Sequence, residues 1–159
     1  MMGSRVGMGY DAHRFGGAGP VILAGVPIEH PVGVLGTSDA DVAAHAVCDA
    51  LLGAAALGDL GNFFPSDDEQ WHGADSMELV ATCGRQVRSA RFELGSVDVT
   101  IIVEAVRVAP YRDEMRSNLA LALQLPILAV SVKATTTDGL GWIGSGEGLA
   151  AHAVATIYR

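Results

Sequence analysis

With 159 residues, half of them hydrophobic and 18% charged, the chain suits one domain that buries roughly two-thirds of its surface. Its net charge of −8 excludes a nucleic-acid binder working through a basic stripe. No run reaches the ~18 uninterrupted apolar residues of a membrane span, and the N-terminus lacks the basic and apolar regions of a signal peptide.

Arg5 to His13 alternates as a strand does, with Val6, Met8, Tyr10 and Ala12 on one face and Gly7, Gly9, Asp11 and His13 on the other. The second face is bare up to its Asp-x-His pair. A carboxylate and an imidazole therefore project together from a strand end, and both donor types suit zinc. Gly16 to Pro20 reads as a turn and Val21 to Val26 as a short apolar strand, which together predict a hairpin. Pro31 to Thr37 reads as a loop leading into a helix.

That helix carries four ionisable groups, Asp39, Asp41, His45 and Asp49, in an Ala-rich run. Ser38 as N-cap with Asp41 three residues on predicts a capping-box-like start, and Gly58 a C-terminal stop. Asp41, His45 and Asp49 recur every four residues and share a face, while Val47, Leu51 and Ala54 lie on another that can bury against a sheet. The helix macrodipole by itself favours acidic residues at a helix start. His45, however, adds a third ligand to Asp11 and His13. Three protein ligands with one open position form the pattern of a catalytic zinc rather than a closed structural one.

Asp59 to Asp68 is a Gly-, Pro- and Asp-rich loop whose carboxylates can accept hydrogen bonds from a polyol. Asp75-Ser76-Met77-Glu78 reads as a second capping box, opening a helix with a Met77, Val80, Ala81, Val87 stripe to about Ser89. Val97 to Val103 is the clearest strand. Pro110 sits just inside a third helix, Tyr111 to about Leu123, which Pro126 stops. Val130 to Thr137 is another strand, ending in Asp138-Gly139-Leu140-Gly141. A Gly-spaced turn containing Glu147 follows, and Leu149 to Tyr158 reads as a strand by its period-two pattern. Cys48 and Cys83 fall in helical patterns and predict unpaired structural thiols of a reducing, cytoplasmic compartment. The element order predicts a single α+β domain over 1–159, a two-layer sandwich of a mixed sheet with helices on one face. The uncovered, apolar sheet face predicts that identical subunits supply its cover.

The motifs Gly9-Tyr10-Asp11-Ala12-His13, Ser38-Asp39-Ala40-Asp41-Val42 with His45, Asp49 to Ala54, Gly58-Asp59-Leu60-Gly61 with Phe64-Pro65, Gly73 to Ser76, Lys133 to Asp138, and Gly146-Glu147-Gly148 occur in that order. In this combination the chain resembles the 2-C-methyl-D-erythritol 2,4-cyclodiphosphate synthase family over nearly its whole length. The resemblance implies a homotrimer with its sheets packed around a threefold axis and active sites between subunits. It implies cyclisation of 4-diphosphocytidyl-2-C-methyl-D-erythritol 2-phosphate with release of CMP, a lyase reaction of the non-mevalonate isoprenoid route. Asp11, His13 and His45 would then hold Zn2+, and Asp138 would serve a second divalent cation, Mg2+ or Mn2+. Asp59, Leu60, Gly61, Phe64, Ser66, Asp68 and Trp142, with Asp11, His13, Thr37 and Ser38, would contact the substrate. Val103, Ala105, Arg107, Val108 and Ala109, with Ala134, Thr135 and Thr136, would form the neighbouring subunit's cytidine pocket. Thr37 and Thr136 would act on the reacting phosphates.

Three positions depart from the family's usual pattern. Thr37 stands where His is usual, Ser66 where Asp is usual after Phe-Pro, and Ser145 where Arg is usual in the Gly-x-Gly-Glu-Gly turn. The first bears on rate, the second on polyol contacts, and the third on an anion or isoprenoid-diphosphate site in the trimer's central cavity. The net charge does not oppose a phosphorylated substrate, because metal ions and backbone N–H groups can supply positive charge locally. The same residues admit a zinc phosphohydrolase, or a trimeric homologue that has lost activity through Thr37.

Overall fold

The computed structural model describes residues 3–159. Its main sheet has five strands in the order β4 (Val32–Val34), β1 (Ser4–Ala18), β7 (Gly148–Tyr158), β5 (Glu93–Ile102) and β6 (Val130–Thr135). Neighbours are antiparallel except β5 and β6, which run parallel. A parallel pair needs a long crossover, and α4 (Arg112–Leu123) supplies it. Helices α1 (Val42–Ala54), α3 (Ser76–Ser89) and α4 pack side by side over one face. The expected two-layer α+β arrangement with a mixed sheet is what forms. Gly148–Tyr158 is a strand, as its period-two pattern predicted.

Several local expectations are corrected. α1 does not start at Ser38. Ala40 takes a left-handed backbone (φ 57), which an α-helix cannot pass through, so Asp41 becomes the N-cap. Asp41 is fully buried. Its carboxylate accepts the Ala44 N–H of its own helix and those of Ala24 and Gly25, at 2.8–3.0 Å. It therefore ties the helix start to the turn between β2 (Val21–Leu23) and β3 (Val26–Ile28). The i, i+4, i+8 face is thus divided. Asp41 and Asp49 hold backbone, with Asp49 accepting the Leu60 N–H, and only His45 reaches the candidate site. α1 also stops before Gly58, because Ala56 is left-handed (φ 59).

The apolar run after Pro20 is a separate two-stranded sheet, not a partner of β1. The expected loops at Pro31 to Thr37 and Asp59 to Asp68 contain β4 and the short helix α2 (Leu60–Phe63), respectively. Asp75 caps α3 through the Met77 N–H. The short helix α5 (Gly141–Gly144) precedes the Glu147 turn.

Val47, Leu51 and Ala54 are in the core, with Ile101, Leu119, Leu149 and Ile157. The sheet face turned away from the helices is open. Val6 and Met8 are each 67% exposed there, and Tyr10, Val154 and Tyr158 are exposed beside them. Lys133 pairs with Asp98 on the adjacent strand at 2.5 Å.

Candidate metal centre

The site begins with two glycines. A Cβ on Gly7 would stand 2.0 Å from the Ala50 carbonyl oxygen, and one on Gly9 1.9 Å from that of Ala46. Ordinary contacts are near 3.4 Å or longer, so only bare backbone lets β1 lie this close to α1. Asp11 and His13 continue the same face of β1, and His45 adjoins Ala46 on α1. The close approach brings the three side chains together.

Asp11 Oδ2 lies 3.1 Å from His13 Nε2 and 2.9 Å from His45 Nδ1. Among the described residues, these form the one group of three His, Cys, Asp or Glu side chains whose ligand atoms all lie within 4.8 Å of each other. The other ring nitrogens are engaged. His13 Nδ1 donates to the Leu35 carbonyl at 2.8 Å, which leaves the Nε2 lone pair for a metal. Around His45 the order is fixed by Asp39. Its carboxylate accepts a hydrogen bond from the Ser76 hydroxyl, and also the Ser76 N–H at 2.9 Å. Ser76 Oγ is thereby left as an acceptor for His45 Nε2–H at 2.9 Å, and Nδ1 keeps its lone pair. Ser38 Oγ lies 3.0 Å from the same Nε2. Two imidazole nitrogens and a carboxylate oxygen, oriented by outer hydrogen bonds, form a donor set that fits a divalent metal.

In the metal-free protein, burial by itself would raise the Asp11 carboxyl, but the adjoining His13 and His45 imidazoles prevail and pull it down to about 2. The hydrogen bond to Asp11 raises His13 above the usual imidazole value of 6.5, against the effect of burial.

A cavity of about 190 Å³ opens beside the three residues. Thr37, Ser38, Leu60, Phe64 and Ser66 line it, all five being among the expected substrate contacts. Asp59, Gly61 and Asp68 do not. Asp59 caps α2 through the Asn62 N–H, and Asp68 accepts the Gln70 N–H. Trp142 lies across His13, in a separate depression with Arg14 and Glu147. Trp71 and Leu79 complete the cavity wall unforeseen. Trp71 stands edge-on to Phe64, with ring centroids 4.8 Å apart. Its buried indole N–H has no partner among the described residues, and a donor left so is costly unless something accepts from it. Ser76 as the partner of His45, and Asp39 as the partner of Ser76, were also missed, since no local spacing signals contacts across 31 and 37 residues.

The second expected set lies at the other edge of the sheet. The register aligns Ala12, Ala150, Ile102 and Thr135 in one row across β1, β7, β5 and β6. Three interstrand spacings of ~4.8 Å put Thr135 about 14 Å from Ala12 in the same chain. Ala105, Arg107 and Ala109, with Ala134, Thr135 and Thr136, are exposed there. Val103 and Val108 are buried and offer no side chain to a ligand. Asp138 is exposed in the loop after β6.

The model of the YgbB family matches residues 4–158. The chain belongs to the YgbB family. Among relatives, the 2-C-methyl-D-erythritol 2,4-cyclodiphosphate synthase of Edwardsiella ictaluri (strain 93-146) is 52% identical over 155 residues, spanning 98% of this chain and 99% of its own. That of Salinibacter ruber (strain DSM 13855 / M31) is 52% identical over 153 residues, spanning 96% of this chain and 98% of its own. A solved 2C-methyl-D-erythritol-2,4-cyclodiphosphate synthase in a CDP-bound form matches with a TM-score of 0.87 at 32% identity, over 96% of this chain and 99% of that one. The bifunctional IspDF from Campylobacter jejuni matches with a TM-score of 0.96 at 38% identity, over 100% of this chain and 43% of that longer one. In this YgbB-family chain two of the three departing residues, Thr37 and Ser66, face the cavity. The third, Ser145, donates to Glu147 at 3.0 Å.

Proposed function

We propose that the chain cyclises 4-diphosphocytidyl-2-C-methyl-D-erythritol 2-phosphate to 2-C-methyl-D-erythritol 2,4-cyclodiphosphate and releases CMP, as a phosphorus–oxygen lyase of the non-mevalonate isoprenoid route. The observation that carries this reading is the convergence of Asp11, His13 and His45 at a cavity, in a chain similar end to end to relatives bearing the synthase name. Asp11, His13 and His45 are the proposed zinc ligands, and Asp138 the proposed ligand of Mg2+ or Mn2+. Bound there, the ions supply the positive charge that lets two phosphates approach each other. The free, buried thiols of Cys48 and Cys83 are in keeping with a cytoplasmic enzyme.

The proposed working unit is a homotrimer. Two observations support it: the open apolar sheet face, and the two residue sets at opposite edges of the same sheet end. A site assembled from the metal edge of one subunit and the 103–109 and 134–136 edge of its neighbour would use both. Thr37, Ser38, Leu60, Phe64 and Ser66 would wall the methylerythritol, with Asp59, Gly61 and Asp68 shaping the adjoining loop and Trp142 flanking His13.

In the reaction an oxygen of the 2-phosphate attacks the β-phosphorus, forming a new P–O bond. The bond from the β-phosphorus to the bridging oxygen breaks, and CMP leaves with the electron pair. The attacking phosphate is already ionised at neutral pH and needs no general base. The barrier is charge repulsion and geometry, so the protein's task is to hold the reacting groups in line. The Thr136 hydroxyl is the proposed donor to the phosphates.

Turnover of the diphosphocytidyl substrate in oxygen-18 water tests the reading. The expected product carries no label. Label in the product would establish a zinc phosphohydrolase instead, and background turnover at full metal occupancy an inactive homologue.

A further inference from the structure

Glu104 stands just past β5, at the head of the 103–109 segment. Its carboxylate reaches to the loop after β6. One oxygen, Oε1, accepts the Thr137 N–H at 2.8 Å and the Gly139 N–H at 3.2 Å, with the Thr137 hydroxyl also 3.2 Å away. These donors flank Asp138. Asp138 and Gly139 are both left-handed (φ 56 and 75), and this turn aims the two N–H groups at one point. The Asp138 N–H donates to Thr136 Oγ1 at 3.2 Å. Three successive backbone N–H groups thus end on side-chain acceptors. The side chains of Thr135, Thr136, Asp138 and Leu140 are exposed; the Gly139 backbone lies against Gly144, and the bonds to Glu104 are what tie the loop to the 103–109 segment. The Gly139 and Thr137 N–H groups hold the Glu104 carboxyl below its usual range, as donors converging on a carboxylate oxygen do.

We infer that Glu104 is a positioning residue that latches the loop carrying Thr136 and Asp138 onto the 103–109 segment. Resting on the cyclase reading, this joins the two nucleotide- and phosphate-facing parts of one subunit's edge into a single rigid unit. A free loop would let the proposed phosphate donor and second-metal ligand drift relative to the bound cytidine, and misplacement of ~1 Å can cost ~100-fold in rate. Ground-state affinity depends on the whole substrate and changes less. The acceptor oxygen, rather than net charge, is what the latch requires.

Steady-state CMP release and zinc content are measured on the wild type, Glu104→Ala and Glu104→Gln, all as assembled proteins. Glu104→Ala is expected to lose about 10- to 100-fold in kcat, with KM within about threefold and zinc unchanged. Glu104→Gln keeps a carbonyl oxygen for the same donors and should recover most of that loss. No turnover by the wild type overturns the cyclase reading and this inference with it. Wild-type turnover with an unimpaired Glu104→Ala overturns the inference alone, as does a Glu104→Gln as slow as Glu104→Ala. Hydrogen exchange on the wild type covers a Glu104→Ala that fails to fold. The Thr137 and Gly139 amides, although in an exposed loop, should exchange at least about tenfold more slowly than free peptide; exchange at the free-peptide rate refutes the latch.

Discussion

Replacing Gly9 by Ala should damage the fold and the metal centre together. The new Cβ would meet the Ala46 carbonyl oxygen at 1.9 Å, and Ala46 C and Ala50 N at 2.8 Å. All three are backbone atoms of α1, so no side chain can swing aside. Restoring an ordinary contact of 3.4 Å requires β1 and α1 to part by about 1.5 Å. Overpacking costs ~1–3 kcal/mol, and a backbone collision belongs at the upper end. At ~2–4 °C per kcal/mol for a chain of this size, Tm should fall by about 6–12 °C. The same parting acts on the ligands. Asp11 Oδ2 and His45 Nδ1 are 2.9 Å apart; adding the full 1.5 Å gives about 4.4 Å, whereas donors on one tetrahedral zinc stand ~3.4 Å apart. Metal affinity should therefore drop at least about tenfold. Chelator competition and elemental analysis measure the second effect, and thermal unfolding the first. Gly53→Ala is the control. It lies in the same helix with nothing within 4 Å of its added Cβ, and should stabilise by ~0.5–1 kcal/mol. A Gly9→Ala protein with full metal and unchanged Tm would refute the reasoning.

His45→Ala should abolish stoichiometric metal while leaving the fold intact, as judged by elemental analysis and circular dichroism. Its neighbours Ala46 and Val47 keep the packing; retained metal would reject the assignment of the three ligands. Ser76→Ala removes the acceptor that orients His45, and should lower metal affinity ~10–100-fold with little change in fold, read by chelator competition. Metal binding should be proton-linked. The His13 pKa is raised above 6.5 by Asp11, so at pH 6.5 more than half of the metal-free protein is protonated there. Affinity should fall as pH drops through that raised value, and calorimetry in buffers of different ionisation enthalpy should show proton release on binding. Thr37→His should keep or raise turnover in a CMP-release assay, because the position already faces the cavity; a hundredfold loss would show a phosphate site rebuilt around the hydroxyl.

The long strands, their faces and the three candidate metal ligands were legible in the sequence for a physical reason. Period-two alternation and Asp-x-His spacing are local properties, fixed once the backbone is extended. The bare Gly7-x-Gly9 face was legible too, but not what packs on it. Only the tertiary structure decided that α1 lies against it, and that this contact carries His45 to Asp11. The helix start was misread because the left-handed backbone at Ala40 moves the cap to Asp41, and no side chain signals that conformation at an alanine. The roles of Asp39, Ser76 and Trp71 at the site were not legible, because they arise from contacts between distant segments. That Val103 and Val108 are buried was not legible in the sequence, since burial depends on what packs over a strand's continuation. Chemistry encoded in neighbouring residues was thus determined by the sequence alone, while chemistry shared across 30 or more residues, as between Asp11 and His45, needed the fold.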